Sequence, residues 1–172
     1  LIYLDNAAST AVHPEVVKEM MPYFDVQYGN PSSIHQFGRK AKNAIQKARK
    51  QVAALIGAEP DEILFTSGGT ESNNTILFGY SILIPNFEQH HVITSSIEHE
   101  AILAPCKELE KKGYKITYLP VDEHGMIDPS EIANSITSTT GLVSIMFANN
   151  EVGTIQPIKE ISEICKKYQI PL

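Results

Sequence analysis

The sequence predicts an α/β fold in which a mostly parallel sheet is flanked by helices. Short apolar, strand-like segments alternate with helix-period segments along the whole chain, and residues 142–148 are almost continuously apolar. Alternation of this kind requires crossover connections, which place helices on both faces of a parallel sheet. A continuously apolar strand is typical of one that is buried on both faces.

The elements are predicted in chain order from hydrophobic periodicity and from helix-breaking residues. Two helices are expected at about 13–24 and 34–56, separated by the breaker cluster Gly29-Asn30-Pro31-Ser32-Ser33. The second is the clearest, because its apolar residues recur at three- and four-residue intervals and Gly57 stands where a left-handed cap would fall. The remaining elements are a strand at 61–66, a helix at 70–83, a strand at 90–95, a helix at 99–112, a strand at 114–119, a helix at 129–137, a strand at 142–148 and a helix at 157–168.

The composition excludes several classes of protein. With 172 residues, 42% hydrophobic and 20% charged, the chain is globular. A net charge of −6 argues against a nucleic-acid partner, and no apolar run approaches the roughly 20 residues of a membrane helix. Two cysteines, Cys106 and Cys165, do not make a disulfide scaffold and are expected to be packed core thiols in a reducing, cytoplasmic setting. No histidine or cysteine spacing suggests a metal site.

The second predicted helix carries an unusual charge pattern. No acidic residue occurs between Val26 and Ala58, whereas six basic residues fall on the helix: Arg39, Lys40, Lys42, Lys47, Arg49 and Lys50. This pattern is consistent with a solvated helix face, which is the commoner case, and with a docking surface for an acidic partner.

Three segments share one layout, in which a predicted strand ends, polar residues gather and a helix begins. They are residues 66–74, 95–100 and 149–154. Ligands of open parallel sheets bind beyond the carboxyl ends of the strands, so these segments are expected to converge on one crevice. The layout favours an enzyme or a small-ligand binder.

The first of these segments, Thr66-Ser67-Gly68-Gly69-Thr70-Glu71, suits a phosphate. Glycines let the backbone approach a ligand, and the start of a helix offers free N–H groups and a positive dipole end. The alternative is an ordinary strand–helix turn that serine and threonine cap. The segment is not a nucleotide P-loop, because no Gly-Lys-Ser/Thr follows.

The other two segments offer single candidate residues. His99 is a surface or capping residue, or, beside a phosphate site, a proton carrier or a stacking partner for a flat ligand. Asn149 and Asn150 follow a buried strand, where one amide can donate to a ligand oxygen and the other can cap the loop. His90 and His91 open a predicted strand and are expected to face solvent.

These segments together resemble a known family. The matching motifs are Tyr3-Leu4-Asp5-Asn6-Ala7-Ala8-Ser9-Thr10, Gly29-Asn30-Pro31-Ser32-Ser33 with His35, Phe65-Thr66-Ser67-Gly68-Gly69-Thr70-Glu71-Ser72-Asn73, Glu98-His99, Ser144-Ile145-Met146 and Asn149-Asn150-Glu151-Val152-Gly153-Thr154-Ile155-Gln156. In this order they resemble the N-terminal part of a class I cysteine desulfurase dependent on pyridoxal 5′-phosphate (PLP), the nitrogen-fixation and iron–sulfur-cluster type.

The resemblance implies specific site residues. Gly69 and Thr70 would bind the cofactor phosphate, His99 would stack on the ring and transfer protons, and Asn150 would hydrogen-bond the phenolic oxygen. In complete members a lysine within Ser-x-His-Lys carries the cofactor, and no His-Lys dipeptide occurs in this chain. We therefore expect the Schiff-base lysine and the catalytic cysteine to be absent from this chain, which alone would be inactive and would be a piece of a longer enzyme.

The resemblance also implies an organisation and an activity. Residues 1–12 would form an N-terminal arm and 13–172 an incomplete large domain of PLP fold type I, the aspartate-aminotransferase-like fold, with the C-terminal half of the parent absent. The parent would convert L-cysteine to L-alanine plus an enzyme-bound persulfide, with an acceptor or scaffold protein and a second copy of the chain as partners. The alternatives are a selenocysteine lyase or an aminotransferase on the same fold, and a non-catalytic piece that binds a partner through the basic helix.

Overall fold

The computed structural model describes residues 2–83 and 90–172, with side chains for all of these except 81–83. The chain divides into two compact units, Leu1–Phe65 and Thr66–Leu172. The helices and strands are α1 (Pro14–Met20), α2 (Pro22–Asp25), α3 (Gln36–Ile56), a 3₁₀ turn (Pro60–Glu62), α4 (Gly69–Leu83), β1 (His91–Ser95), α5 (Glu100–Lys111), β2 (Lys115–Leu119), α6 (Pro129–Ser135), β3 (Thr140–Ser144) and α7 (Ile158–Lys167). No helix within the described ranges is both long and apolar enough to cross a membrane.

Helices dominate the first unit. The helix predicted at 13–24 is divided into α1 and α2, because Pro22 begins a new helix where it can do without an N–H donor. The prediction for α3 is confirmed, and so is its cap: Gly57 has φ of +70° and its N–H donates to the carbonyl of Ala53. At the other end of α3, His35 Nδ1 accepts the N–H of Gly38 at 3.4 Å.

The strand predicted at 61–66 is wrong. Pro60–Glu62 form a 3₁₀ turn, which Glu59 and Glu62 close by a reciprocal capping box in which the Glu59 N–H donates to Glu62 Oε2 at 2.8 Å. The following backbone bonds to a side chain instead of a strand, because Arg49 Nε donates to the carbonyl of Ile63 at 3.1 Å. The local hydrogen bonds of the turn therefore determine the backbone here, and the short apolar run does not form a strand.

The second unit contains a parallel sheet of three described strands in the order β2-β1-β3. β1 is central: His91–Ser95 pair in parallel with Lys115–Leu119 on one side and, through Thr94 opposite Ser144, with β3 on the other. The predicted α/β class with a parallel sheet is confirmed. The strand predicted at 142–148 lies instead at Thr140–Ser144, because the backbone beyond Ser144 leaves the ladder to bond with side chains of other segments.

Helices cover both faces of this sheet, as the sequence predicts. One buried cluster joins β1 and β3 to α4 and α5, through Leu77, Val92, Ile102, Cys106, Leu109 and Leu142. The other joins the three strands to α6 and α7, through Ile93, Leu119, Ile127, Ile132, Val143, Ile161 and Cys165. Alternate strand residues point to opposite faces, so adjacent residues such as Leu142 and Val143 belong to different clusters.

The expectations for the cysteines and for His91 have different outcomes. Cys106 and Cys165 are 0% and 1% exposed, which confirms packed core thiols. Burial raises the pKa of the Cys106 thiol to about 11 and also raises that of Cys165, so neither is activated as a nucleophile. The prediction that His91 faces solvent is wrong: it is 1% exposed, and its two ring nitrogens hydrogen-bond threonine hydroxyls of neighbouring strands.

The basic residues of α3 do not all serve one purpose. Arg49 packs its guanidinium 5.5 Å from the ring centre of Phe65, and Arg39 donates to the carbonyl of Ile34 at 2.6 Å. The four lysines are exposed and form no ion pair with any residue in the described part of the chain. Both the solvated face and the docking surface need exposed lysines, so the choice between them stays a prediction.

The first turn of α3 is a site where a methyl group cannot fit. A Cβ on Gly38 would overlap the carbonyl oxygen of Ser33 and lie 2.7 Å from that of Asn30, both of which are backbone atoms. We expect Gly38→Ala to lower the free energy of unfolding by about 1–3 kcal/mol, because the 30–33 segment must move away. Urea unfolding of the protein measures this loss.

A second glycine provides the control for Gly38. Gly79 lies inside α4, and no atom of the described residues is within 4 Å of its added Cβ, so Gly79→Ala should be neutral or stabilise the protein by up to about 1 kcal/mol. Equal unfolding free energies for Gly38→Ala and the parent protein would contradict the steric argument.

Candidate functional site

A cleft of about 770 Å³ lies at the carboxyl edge of β1 and β3. Its walls come from residues of three segments, 97–100, 123–125 and 149–154. Two of the three segments that the sequence predicted to converge, 95–100 and 149–154, therefore do meet. The third predicted segment, 66–74, is not among those that line the cleft.

The direction of α4 nevertheless brings its first turn to the same edge of the sheet. The hydroxyl of Tyr80, late in α4, lies against Gly141 at the amino end of β3. This contact places the last part of α4 near the amino edge of the sheet, so we expect its first residues, Gly69 and Thr70, to lie nearer the carboxyl edge. α5 packs beside α4 and follows β1 directly, so both helices begin at this edge.

The first turn of α4 presents donors to solvent. Glu71 folds back and accepts from both the N–H and the hydroxyl of Ser67 at 2.6 Å, and these bonds lower the pKa of its carboxyl. Within the described residues the N–H groups of Gly69 and Thr70 and the Thr70 hydroxyl have no acceptor, and a Cβ on Gly69 would meet only open space. Unpaired N–H donors at a helix N-terminus are a feature that favours anions.

His99 is the N-cap of α5 and is exposed at the cleft. Its Nδ1 accepts the N–H of Ala101 at 3.0 Å, so this nitrogen carries a lone pair and the neutral ring holds its proton on Nε2. The capping role that the sequence predicts is therefore present, and Nε2 has no hydrogen-bond partner among the described residues.

The two asparagines divide the roles that the sequence left open between them. Asn149 is the loop cap: it is 8% exposed, its Oδ1 accepts the N–H groups of Glu151 and Val152 at 2.9 Å, and its Nδ2 donates to the carbonyl of Ile97 at 3.0 Å. Asn150 is exposed, lines the cleft and has no side-chain hydrogen bond within the described chain. It is the amide that remains available to a ligand.

The segment at 123–125 is a wall of the cleft that the sequence did not predict. Thr154 donates to the carbonyl of His124, and Gln156 Nε2 donates to the carbonyl of Gly125 at 2.7 Å. Gln156 Oε1 also accepts the N–H of Ile127 at 2.9 Å. The partners are about 30 residues apart in the chain, so no local sequence signal could have shown these bonds.

Glu98 is the second residue that sequence reasoning missed. The sequence assigns Glu98 no role of its own, yet it is 7% exposed and lines the cleft. Its Oε1 accepts from the Ser95 hydroxyl at 2.9 Å and from the N–H of Met146 at 2.8 Å. Burial raises the pKa of this carboxyl, and the two hydrogen bonds oppose the rise.

The donor set at this edge fits a flat ligand that carries an anionic group. The start of α4 supplies backbone N–H groups and a hydroxyl for the anion, His99 supplies an exposed aromatic face, and Asn150 supplies an amide donor for a ring oxygen. No group of three histidine, cysteine or acidic side chains within the described ranges is arranged to hold a metal ion. The donors at this edge are the candidates for a ligand site.

The chain matches known proteins both in sequence and in structure. Residues 2–172 match the family model for aminotransferase class V. The chain is 55% identical over 170 residues to the cysteine desulfurase IscS of Methanosarcina thermophila, covering 98% of this chain and 42% of that protein. It is similar to the solved structures of a NifS-like protein (TM-score 0.93, 42% identity, 99% of this chain and 47% of that one) and of SspA in complex with cysteine (TM-score 0.93, 41% identity, 98% and 48%). The chain thus spans less than half the length of each of these proteins.

Proposed function

The chain belongs to the class V aminotransferase family, and we propose from this that the protein is a PLP-dependent cysteine desulfurase. In this reaction the carbon–sulfur bond of L-cysteine breaks, a sulfur–sulfur bond forms to an enzyme thiolate, and the carbon takes up a proton to give L-alanine. No external oxidant is needed. The observation that carries the proposal is 55% identity to a cysteine desulfurase across 98% of the chain.

We propose the same cofactor roles that the sequence predicts. The N–H groups of Gly69 and Thr70, with the Thr70 hydroxyl, would hold the phosphate, because they stand at a helix N-terminus and have no acceptor among the described residues. His99 would lie against the ring, and Asn150 would donate to its phenolic oxygen. PLP supplies a sink for the electrons released when bonds to the substrate α-carbon break.

His99 would carry protons at Nε2 in this site. Because Nδ1 is held by the N–H of Ala101, the ring can exchange protons with a ligand only through the other nitrogen. The hydrogen bond from the Ala101 N–H also fixes the imidazole ring at the N-terminus of α5, so the ring is positioned before a substrate binds.

The proposed partners follow from the family. L-cysteine is the proposed substrate, and the solved SspA complex with cysteine supports this assignment. A sulfur-acceptor or scaffold protein of iron–sulfur cluster assembly would receive the persulfide sulfur, and a second copy of the chain would complete a homodimer. The proposed setting is the cytoplasm.

The proposed activity is tested by supplying the complete, PLP-loaded protein with L-cysteine and a thiol reductant. We expect L-alanine and sulfide in equal amounts. L-selenocysteine and pairs of amino acid and keto acid serve as rival substrates, which distinguish a selenocysteine lyase from an aminotransferase. Efficient release of selenide without release of sulfide, or transamination without sulfide, would replace the proposal with the corresponding alternative.

The proposed phosphate site is tested with Thr70→Val, which keeps the shape of the side chain and removes its hydroxyl. A hydrogen bond to a charged group contributes about 1.5–3 kcal/mol, so PLP should bind about ten- to a hundredfold more weakly. Thr75→Val, an exposed substitution on the same helix, is the control and should leave PLP affinity unchanged. Titration of the apoprotein with PLP, followed by absorbance, measures both. Parental affinity in Thr70→Val would remove Thr70 from the site.

A further inference from the structure

The buried carboxylate of Glu98 has no cationic partner within the described part of the chain. One of its oxygens, Oε1, accepts both the hydroxyl of Ser95 and the N–H of Met146. A buried carboxylate without a counterion is costly, and hydrogen bonds to an ionised acceptor are what offset that cost. The two donors therefore stabilise the ionised form of Glu98, and Glu98 is the acceptor that both donors use.

The two donors come from the ends of neighbouring strands. Ser95 is the last residue of β1, and Met146 lies two residues beyond the end of β3. The register between these strands ends at Thr94 opposite Ser144. Beyond that pair the backbone ladder no longer sets the distance between the two chain segments, and the Glu98 carboxylate bridges them instead.

A second hydrogen bond joins the same two segments, and here the side chain belongs to the segment that follows β3. Asn149, on the segment that follows β3, donates to the carbonyl of Ile97, on the segment that follows β1. These two hydrogen bonds are made by the residues immediately before the two candidate ligand-binding residues: Glu98 precedes His99, and Asn149 precedes Asn150. Beyond the paired strands, side-chain hydrogen bonds therefore join the segment that carries His99 to the segment that carries Asn150.

We propose that Glu98 is the positioning residue of this site: by bonding Met146 and Ser95 it fixes His99 relative to Asn150 and so sets the width of the cleft for a flat ligand. The inference rests on the proposed function, in which that ligand is PLP. Glu98 acts through its neighbours and is not assigned a proton-transfer step.

The inference predicts a graded series of variants in the complete protein. Glu98→Ala removes both bonds and should weaken PLP binding about ten- to a hundredfold, and the Met146 amide should exchange hydrogen faster. Ser95→Ala removes one bond and should have a smaller effect, about two- to tenfold. Glu98→Gln keeps an oxygen that can accept both donors, so it should bind PLP within about threefold of the parent and protect the Met146 amide.

The readouts are PLP titration by absorbance and amide hydrogen exchange, neither of which requires turnover. Glu163→Ala, an exposed change on α7, is the control and should match the parent in both. If the parent protein itself does not bind PLP, the proposed function fails. If the parent binds PLP and Glu98→Ala binds it equally well, only the present inference fails.

Two further results would also test the positioning role of Glu98. If Glu98→Ala does not fold, Ser95→Ala decides: parental PLP affinity and parental exchange at Met146 would overturn the positioning role. If Glu98→Gln folds but loses PLP as completely as the alanine variant, the charge and not the bridging geometry is what matters, and the inference is also wrong.

Discussion

Replacing His99 with alanine in the complete protein is expected to slow sulfur release from L-cysteine by about 10²–10⁴-fold, the usual contribution of a positioned acid–base group. The physical reason is the commitment of Nδ1 to the N–H of Ala101, which leaves Nε2 as the one ring nitrogen that can face a ligand. Sulfide and alanine production under saturating PLP measure the effect on the reaction itself.

His99 also caps α5, so the alanine variant loses about 1 kcal/mol of stability from a cause unrelated to chemistry. His99→Asn separates the two roles, because asparagine is a good N-cap whose side-chain oxygen can accept the same backbone N–H. We expect His99→Asn to unfold at the parental temperature and still lose activity to the same extent as the alanine variant. Parental activity in His99→Asn would show that His99 is a cap and nothing more.

The fold was largely predictable because it depends on periodicity. α3 and α5 repeat apolar residues at helical intervals, and the core clusters of the second unit draw residues from α5 and from the strands β1 and β2. The errors fall where a local bond competes with an apolar run. At 61–66 a proline and two glutamates close a turn, and after Ser144 the backbone bonds to Glu98 instead of to a neighbouring strand.

The candidate site was predictable only in part. The cleft residues His99 and Asn150 follow the ends of β1 and β3, so topology alone brings them to one edge of the sheet. The long-range hydrogen bonds around this edge were not predictable, because Glu98, Asn149 and Gln156 bond partners between 29 and 52 residues away. Such pairs leave no periodic trace in one sequence, because polar side chains at these positions look like ordinary loop residues.

The buried histidine at the amino end of β1 leads to the second large expected effect. The Thr140 hydroxyl accepts the N–H of Thr137 at 2.8 Å and can therefore give its own proton to His91 Nδ1, also at 2.8 Å. The opposite nitrogen, Nε2, then donates to the Thr117 hydroxyl at 2.8 Å. This arrangement suits the neutral ring and satisfies both nitrogens without water.

We expect His91→Ala to lower the free energy of unfolding by about 3–5 kcal/mol, because it leaves a cavity and removes the ring partner of the buried Thr140 hydroxyl and of the half-buried Thr117 hydroxyl. His91→Gln retains a donor and an acceptor, so its loss should be smaller. Urea unfolding at neutral pH measures both, with His124→Gln, an exposed substitution, as the control. A loss below about 1 kcal/mol for the alanine variant would contradict the assigned bonds.

The stability of the parent should also depend on pH through His91. Burial, followed by the positive charges of Lys115 and His90, lowers the pKa of His91 below its ordinary value of 6.5. Below pH 6.5 the unfolded chain therefore binds more protons than the folded one, so the contribution of neutral His91 is fully present above pH 6.5 and is lost as the pH falls toward the folded pKa. The slope is at most about 1.4 kcal/mol per pH unit.

The pH-dependent contribution of His91 to stability is isolated by comparing the parent with His91→Gln, and not by the pH profile of the parent alone. Glu98 has a raised pKa, so the folded state gains protons there as the pH falls and the two groups act in opposite directions. Because His91→Gln cannot titrate, the difference between parent and variant should shrink from pH 7 to pH 5 as the parent loses its advantage. A difference that stays constant across that range would mean that His91 does not titrate during unfolding, and the neutral buried ring would then not be the source of the acid sensitivity.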